Sequence, residues 1–212
     1  MTESIDLKSL EKKAYRSVFN DGLWDLFIGM LILNLGTGPL FTFLFGSLGN
    51  LTVFIIMTIW NIITLLIFIL GKKYITIPRV GYVKFGPKRK SKQLKLKIFL
   101  IVVFFVNLIL FGLNLGDMID YSLIQPLLIA LFLGFGIFTI PFCVIAYFLD
   151  FKRLYYYAFS AGLGFFLTEL LSPIVGDYLD DFIVFGVIGG IIILIGLYYF
   201  ISFLKKYPLS KK

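Results

Sequence analysis

Apolar residues occur in six long runs separated by short polar connections: residues 23–45, 51–70, 98–115, 122–149, 154–171 and 182–204. A helix needs roughly 20 apolar residues to cross the hydrocarbon core of a bilayer, at about 1.5 Å per residue. The pattern therefore predicts an all-α, polytopic integral membrane protein with six transmembrane helices. Six crossings leave no room for a separate soluble domain, so we expect residues 1–212 to form a single membrane domain.

All twenty Lys and Arg residues fall in connections on one side of these runs. Four precede the first run, ten lie between the second and third, two lie between the fourth and fifth, and four follow the sixth. Because basic connections stay on the cytoplasmic side, both termini are predicted to be cytoplasmic, in the cell (plasma) membrane. The bases are already divided among four segments at the membrane face, which argues against a nucleic-acid partner.

Residues 72–97 form a basic cytoplasmic loop with an ordered apolar pattern. Isoleucines at 75 and 77 alternate with polar residues, which predicts a small hairpin of extended segments that turns around residues 78–81. We expect this loop to contact anionic inner-leaflet lipids, at about 1 kcal/mol for each well-placed base, or a partner protein. The alternative is that its charge only sets the topology. The candidate contact residues are Arg79, Tyr82, Lys84, Lys88, Arg89 and Lys90.

Residues 1–20 are predicted to form an amphipathic N-terminal segment, since apolar residues recur there at helical spacing among bases. The end of this segment takes part in a weak internal repeat. The motif Lys-x-x-Tyr-x-x-x-Phe-x-x-Gly-Leu begins at Lys12 and again at Lys152. Both copies begin on the inner side of the membrane, so helices 1–2 and 5–6 could form a parallel pseudo-repeat. Chance similarity between apolar helices is the alternative.

Small residues mark the faces along which the helices are expected to pack. In lipid, helix association depends on close backbone approach, which glycine permits. Three glycines in or directly before the first run recur every seven residues and therefore share a helix face. Contacts within the chain are the main interpretation, and a homo-oligomer face is the alternative. The helix-packing candidates are Gly22, Gly29, Gly36, Gly112, Gly116, Gly186 and Gly190.

Three carboxylates in or beside the apolar runs are candidates for handling an ion: Asp21, Asp25 and Glu169. Asp21 and Asp25 are four residues apart and share a helix face near the inner end of the first run. An ionisable group in a membrane segment indicates function, here with a cation or proton. The structural interpretation is a favourable helix start or an ion pair. A cavity lined by both aspartates would favour transport, and an ion pair with an inner base would favour structure. The bases considered as partners are Arg79, Lys152 and Arg153.

The chain carries no catalytic signature. Histidine is absent, and the single cysteine, Cys143, lies in the fourth run, where a small packing role is expected. HExxH, GxSxG and P-loop motifs are absent as well. We therefore predict no enzyme activity, no metal and no cofactor. The expected function is helix association combined with contact to inner-leaflet lipid or a partner. The alternative is a small secondary transporter or permease-like protein for a cation or small solute.

Overall fold

The computed structural model describes residues 19–46, 50–81, 87–115, 125–176 and 178–208. Every regular element in these ranges is helical, and five helices are long and apolar enough to cross a membrane. These features confirm the all-α fold and indicate a membrane location. The third predicted crossing lies in a helix whose side chains are described as far as Ile109. Most of the predicted N-terminal amphipathic segment lies outside the described ranges.

Eight α-helical segments and two π-helical segments follow one another along the described chain. Helices α1 and α2 span Leu23–Phe45 and Asn50–Gly71, and the first π-segment, Lys72–Thr76, joins α2 to α3, Ile77–Val80. Helix α4 spans Pro87–Leu115, and the second π-segment, Phe132–Thr139, joins α5, Pro126–Leu131, to α6, Ile140–Leu149. Helices α7 and α8 span Lys152–Val175 and Leu179–Lys206. Residues 50–80 and 126–149 are each continuous, so these segments make six helices.

The helix ends agree with the sequence prediction in one region and differ in another. The first predicted crossing coincides with α1, which continues through Pro39. The second was predicted to end at residue 70, whereas its helix continues to Val80. The extended hairpin predicted in the basic loop is therefore wrong for residues 72–80, which are helical. Helix α4 begins already at Pro87. Much of the region predicted as loop 72–97 is helical.

Both π-segments end at a threonine that isoleucine and proline follow: Thr76-Ile77-Pro78 and Thr139-Ile140-Pro141. Proline lacks an N–H donor, and its ring clashes with the carbonyl four residues earlier. A wider π turn before the proline relieves this clash while the helix continues. The structure accommodates Pro141 in the same way, with the π-helical turns that precede it.

The chain divides into two compact units. Unit 1 consists of Met1–Val83 and Leu171–Lys212, and unit 2 of Lys84–Leu170. Unit 1 therefore contains α1 to α3, the last residues of α7, and α8. Unit 2 contains α4 to α6 and most of α7. The single membrane domain predicted from the sequence stays a prediction.

In unit 1, α1 contacts both α2 and α8 and is antiparallel to each. A methyl group at Gly36 would lie 2.6 Å from the carbonyl oxygen of Asp181, and one at Gly196 would lie 2.8 Å from the backbone nitrogen of Leu26. The start of α1 thus lies beside the later part of α8, and the two backbones are in contact. On the other side, a methyl group at Gly71 would lie 3.0 Å from the side chain of Leu23.

In unit 2, the second π-segment packs against α7 through a pair of glycines. A methyl group at Gly162 would lie 2.8 Å from the carbonyl oxygen of Gly134. The Thr139 hydroxyl lies 3.0 Å from the carbonyl oxygens of both Gly134 and Ala158, within hydrogen-bond distance of each. These contacts hold the π-segment close to α7 because small residues allow the backbones to approach.

Candidate functional site

Asp21 and Asp25 are fully buried, with 0% of each residue exposed. Asp21 lies in the turn before α1, where Gly22 adopts φ = 75°, a left-handed conformation that glycine tolerates. The Leu23 N–H donates to Asp21 Oδ1 at 3.2 Å, so the carboxylate turns back toward its own helix. Asp25 lies in the first turn of α1, where the positive end of the helix dipole favours a carboxylate.

The side-chain partners of Asp21 come from the first π-segment. Lys72 Nζ lies 2.6 Å from Asp21 Oδ2, and the Thr76 hydroxyl donates to the same oxygen at 2.6 Å. Asp25 lies near enough to Lys72 for its negative charge to act on the ammonium group as well. The Lys72 side chain is 17% exposed, and most solvent is therefore excluded. We refer to Asp21, Asp25, Lys72 and Thr76 as the buried charge cluster.

This geometry favours the structural interpretation of the aspartates. Donors of unit 1 occupy both carboxylate oxygens of Asp21: a backbone N–H, an ammonium and a hydroxyl. A buried ion pair contributes little net stability because desolvation offsets the attraction, but removing one partner leaves a buried charge uncompensated. The buried charge cluster thus fixes the first π-segment, which follows α2, against the start of α1.

The base that pairs with Asp21 differs from the bases that the sequence singled out. Arg79 Nη1 donates to the carbonyl oxygen of Ile75 at 3.0 Å, and no ion pair joins Arg79 to either aspartate. Lys152 and Arg153 belong to unit 2. A signal for the true partners was present, since Lys72 and Thr76 are four residues apart and share a helix face. The predicted extended conformation of this segment concealed that spacing.

The third candidate carboxylate, Glu169, is half-buried in α7 and belongs to unit 2. The buried charge cluster is formed by unit 1 alone, so Glu169 is not a member of it. Cys143 is also half-buried, with a free thiol, in α6. Neither residue adds a chemical group to the cluster.

The candidate lipid-contact residues differ in their surroundings. Arg89 is only 8% exposed, and its Nη1 lies 2.5 Å from Asp150 Oδ2, which makes it an internal ion-pair partner within unit 2. Lys90, the next residue, is exposed. Arg79 is half-buried at the end of the second helix. Tyr82, Lys84 and the side chain of Lys88 lie outside the described part of the chain.

The candidate packing glycines divide in the same way. Gly22, Gly29 and Gly36 all contact α8, and a methyl group at Gly29 would lie 2.7 Å from Ile193 Cγ1. Methyl groups at Gly186 and Gly190 would meet no atom within 4 Å among the described residues, and the packing role predicted for these two glycines stays a prediction. The contacts of α8 are instead made by Gly189 and Gly196, which are also seven residues apart. The packing of Gly112 and Gly116 lies outside the described residues.

A cavity of about 240 Å³ lies in unit 1, where α1, α2 and α8 meet. Its lining is apolar except for Thr64. Neither Asp21 nor Asp25 lines it. The geometry expected of a transport pathway, a cavity lined by both aspartates, is therefore not found at this cavity.

Metal chemistry and similarity to known proteins add no further constraint. Among the described residues, no group of three or more His, Cys, Asp or Glu side chains could hold a metal ion. In the comparisons with known proteins, no family model, curated protein or solved structure matches the chain. The function must therefore be inferred from the buried charge cluster, the cavity and the exposed surface.

Proposed function

We propose that this is a non-enzymatic, multi-pass protein of the cell (plasma) membrane with both termini cytoplasmic. It acts through helix association and through contact of its basic segment with anionic lipid of the inner leaflet. The observation that carries this proposal is the bond of Asp21 Oδ2 to Lys72 and Thr76, at 2.6 Å each. These bonds hold residues 72–80 as an ordered helix at the end of unit 1.

Residues 72–80, which we call the interfacial segment, have two different faces. On one face, Lys72 and Thr76 belong to the buried charge cluster and bind Asp21. Lys73 is exposed on the other side, with Tyr74 at 63% and Ile77 at 43% exposure. A helix that exposes cationic and apolar side chains together suits the membrane interface, where apolar groups enter the headgroup region and lysines reach the phosphates.

The two ends of unit 1 differ in charge, which supports the proposed orientation. Because α1 is antiparallel to α2 and α8, the start of α1 lies at the same end as the last residues of both neighbours. That end, which we call the basic end, carries Lys72, Lys73, Arg79, Lys205 and Lys206. The opposite end carries Asp180 and Asp181 beside Gly36. Bases on the cytoplasmic side and acids on the other agree with the positive-inside rule.

The proposal is tested by a fluorophore on the interfacial segment. Tyr74→Cys in a Cys143→Ser background would carry a polarity-sensitive dye in proteoliposomes of phosphatidylcholine with or without phosphatidylglycerol. We expect a blue shift when phosphatidylglycerol is included, because the lysines draw the segment toward anionic headgroups. Salt at about 1 M, where the Debye length is about 3 Å, should remove the difference.

The matched control is the same dye at Thr58→Cys, an exposed position of α2 far from the basic end. Its emission should be equal in both lipids, since about four helical turns separate it from Lys72 at the basic end. Equal emission from the dye at residue 74 in the two lipids would rule out preferential contact with anionic lipid.

A small cation transporter is the second candidate function, and one observation favours it. Two carboxylates are buried at 0% exposure near the start of a membrane helix, where ionisable groups often mark an ion path. The test is proton and cation flux in proteoliposomes. Flux above that of protein-free vesicles, lost in Asp25→Asn, would support transport. Flux equal to that of protein-free vesicles would leave the first proposal preferred.

A further inference from the structure

The cavity of unit 1 lies in the half of the unit nearest its basic end. It extends along α1 from Leu23 to Met30 and along α2 from Phe68 back to Thr64. At about 1.5 Å per residue, this stretch of α1 is about 10 Å long. Ile67 and Leu197 line the cavity and are 52% and 40% exposed, so it opens to the surroundings between α2 and α8.

An apolar molecule is the favourable occupant of this space. An apolar cavity of about 150 Å³ in a soluble protein stays dry and binds small hydrophobic molecules. The cavity here is larger, about 240 Å³, and if it were empty its lining atoms would lose their dispersion contacts. In a bilayer, the abundant apolar group that can enter between two helices is the acyl chain of a lipid.

Positive charge lies directly beyond the cavity. Lys72 Nζ is 5.9 Å from the centre of the Phe68 ring, which lines the cavity. Lys73 follows and is exposed, as are the two lysines that end α8. The described bases of the basic end outnumber the two aspartates of the buried charge cluster, so the local charge is positive. This charge complements a negatively charged headgroup rather than a zwitterionic one.

We propose that unit 1 binds one anionic phospholipid, with an acyl chain in the cavity and its headgroup beside Lys73. The inference rests on the proposed function only for the membrane leaflet in which the headgroup lies. The binding site itself is carried by the cavity, its opening and the lysines beyond it. It differs from the contact of the interfacial segment with the bilayer surface, because it holds one lipid at a defined position.

Native mass spectrometry of the purified full-length protein tests this site. Phosphatidylglycerol and phosphatidylcholine with identical acyl chains are the probes. We expect one phosphatidylglycerol to remain bound at concentrations about fivefold lower than phosphatidylcholine, as expected for one base near an anionic group. Lys73→Gln should abolish this preference. Equal retention of the two lipids by the unmodified protein would overturn the anionic assignment.

The cavity is tested by Thr64→Phe, whose ring would occupy it, with Thr58→Phe on the exposed face of α2 as the matched control. Thr64→Phe should reduce binding of phosphatidylglycerol at least fivefold, and Thr58→Phe should leave it unchanged. Should Thr64→Phe fail to fold, Ile67→Trp would cover the opening from its exposed position and should reduce binding in the same way. Unchanged binding in folded Thr64→Phe, or in Ile67→Trp, would overturn the site.

A second measurement separates this inference from the proposed function. Trp24 lies 4.8 Å from Phe68, ring centre to ring centre, so a brominated acyl chain in the cavity should quench its fluorescence. In a Trp60→Phe background, brominated phosphatidylglycerol should quench Trp24 more than brominated phosphatidylcholine. Quenching without a lipid response of the dye at residue 74 would support the lipid site and refute the interfacial contact. The reverse result would refute the lipid site alone.

Discussion

Lys72 Nζ lies 2.6 Å from Asp21 Oδ2, although 51 residues separate the two in the sequence. The contact joins the turn before α1 to the π-segment after α2. Because Asp21 is fully buried, its charge is compensated by protein groups rather than by water. Neither partner can be removed alone without leaving the other charge poorly compensated.

Breaking this pair should lower the thermal stability of the protein. Asp21→Asn and Lys72→Gln should each reduce the free energy of unfolding by about 3 kcal/mol, the lower end for a broken buried ion pair. The double variant should lose less than the sum of the two, because no unpaired charge remains. Melting of the detergent-purified protein, followed by tryptophan fluorescence, measures all three. Lys90→Gln, at an exposed lysine outside the buried charge cluster and the proposed lipid site, is the control and should melt as the unmodified protein does; strictly additive losses would contradict the pairing.

Alanine substitutions at two adjacent glycines of α8 should have different effects on stability. A methyl group at Gly189 would lie 2.8 Å from the backbone nitrogen of Leu33, whereas one at Gly190 meets nothing within 4 Å among the described residues. Gly189→Ala should therefore destabilise the protein by about 1–3 kcal/mol through overpacking. Gly190→Ala should be neutral or slightly stabilising, because alanine favours helix. The same melting experiment decides, and equal melting of the two variants would argue against the contact between α1 and α8.

Substitutions of Arg89 and Lys90 should also differ in their effect on stability, although the sequence analysis grouped both residues as candidate lipid contacts. Arg89 is 8% exposed and pairs with Asp150, so Arg89→Gln should cost about 3 kcal/mol. Asp150→Asn should cost a similar amount, because the same ion pair is lost. It should add no backbone strain, since asparagine also tolerates the left-handed conformation found there, φ = 53°. Lys90→Gln should not change the melting temperature. A phosphatidylglycerol-dependent change in Arg89→Gln, without loss of stability, would instead indicate a lipid contact.

Asp25→Asn should lower stability modestly, by on the order of 1 kcal/mol, because the helix start loses a favourable anion. Lys72 loses one of its two negative neighbours at the same time. The substitution preserves side-chain shape, so packing near Gly196 is retained. Melting in detergent is the measurement. Unchanged melting together with lost cation flux in liposomes would reverse the ranking of the two proposed functions.

The proposed orientation predicts opposite accessibility of two positions. Cysteines placed at Lys90 and Met118, in a Cys143→Ser background, should react from opposite sides of the membrane, residue 90 from the cytoplasmic side. The reason is that connections rich in Lys and Arg remain in the cytoplasm, whereas the connection around residue 118 carries no base and can be translocated. Membrane-impermeant thiol reagents applied to intact cells and to inverted vesicles measure this. Labelling of both positions from the same side would exclude the proposed topology.

Helix α1 could be predicted to its ends because lipid leaves few alternatives for an apolar run of that length. Backbone groups in a bilayer must be bonded within the segment, and a helix achieves this without partners. The continuation of the second helix to Val80 was not predicted. Pro78 is typical of a helix end, and neither the π-segment that accommodates it nor the bond of Thr76 to Asp21 follows from the local sequence.

The sequence indicated the carboxylates of the buried charge cluster but not the residues that bind them. Asp21 and Asp25 were recognisable because charges are rare in apolar segments, but their partner was not. The glycines singled out in α1 lie on the face that contacts α8, whereas the glycines of α8 that contact α1 were not among those singled out. Gly186 and Gly190 match a common motif, yet Gly189 and Gly196 make the contact, because the register of α8 against α1 decides which face is buried.

The sequence by itself determined an all-helical protein with membrane-spanning helices and the segregation of its bases, because the lengths of apolar runs and the positions of charges are local properties. Only the tertiary structure decided that Lys72 compensates Asp21, which glycines of α8 contact α1, and where an apolar cavity remains. These depend on contacts between residues distant in sequence, and their geometry follows from packing whole helices against one another.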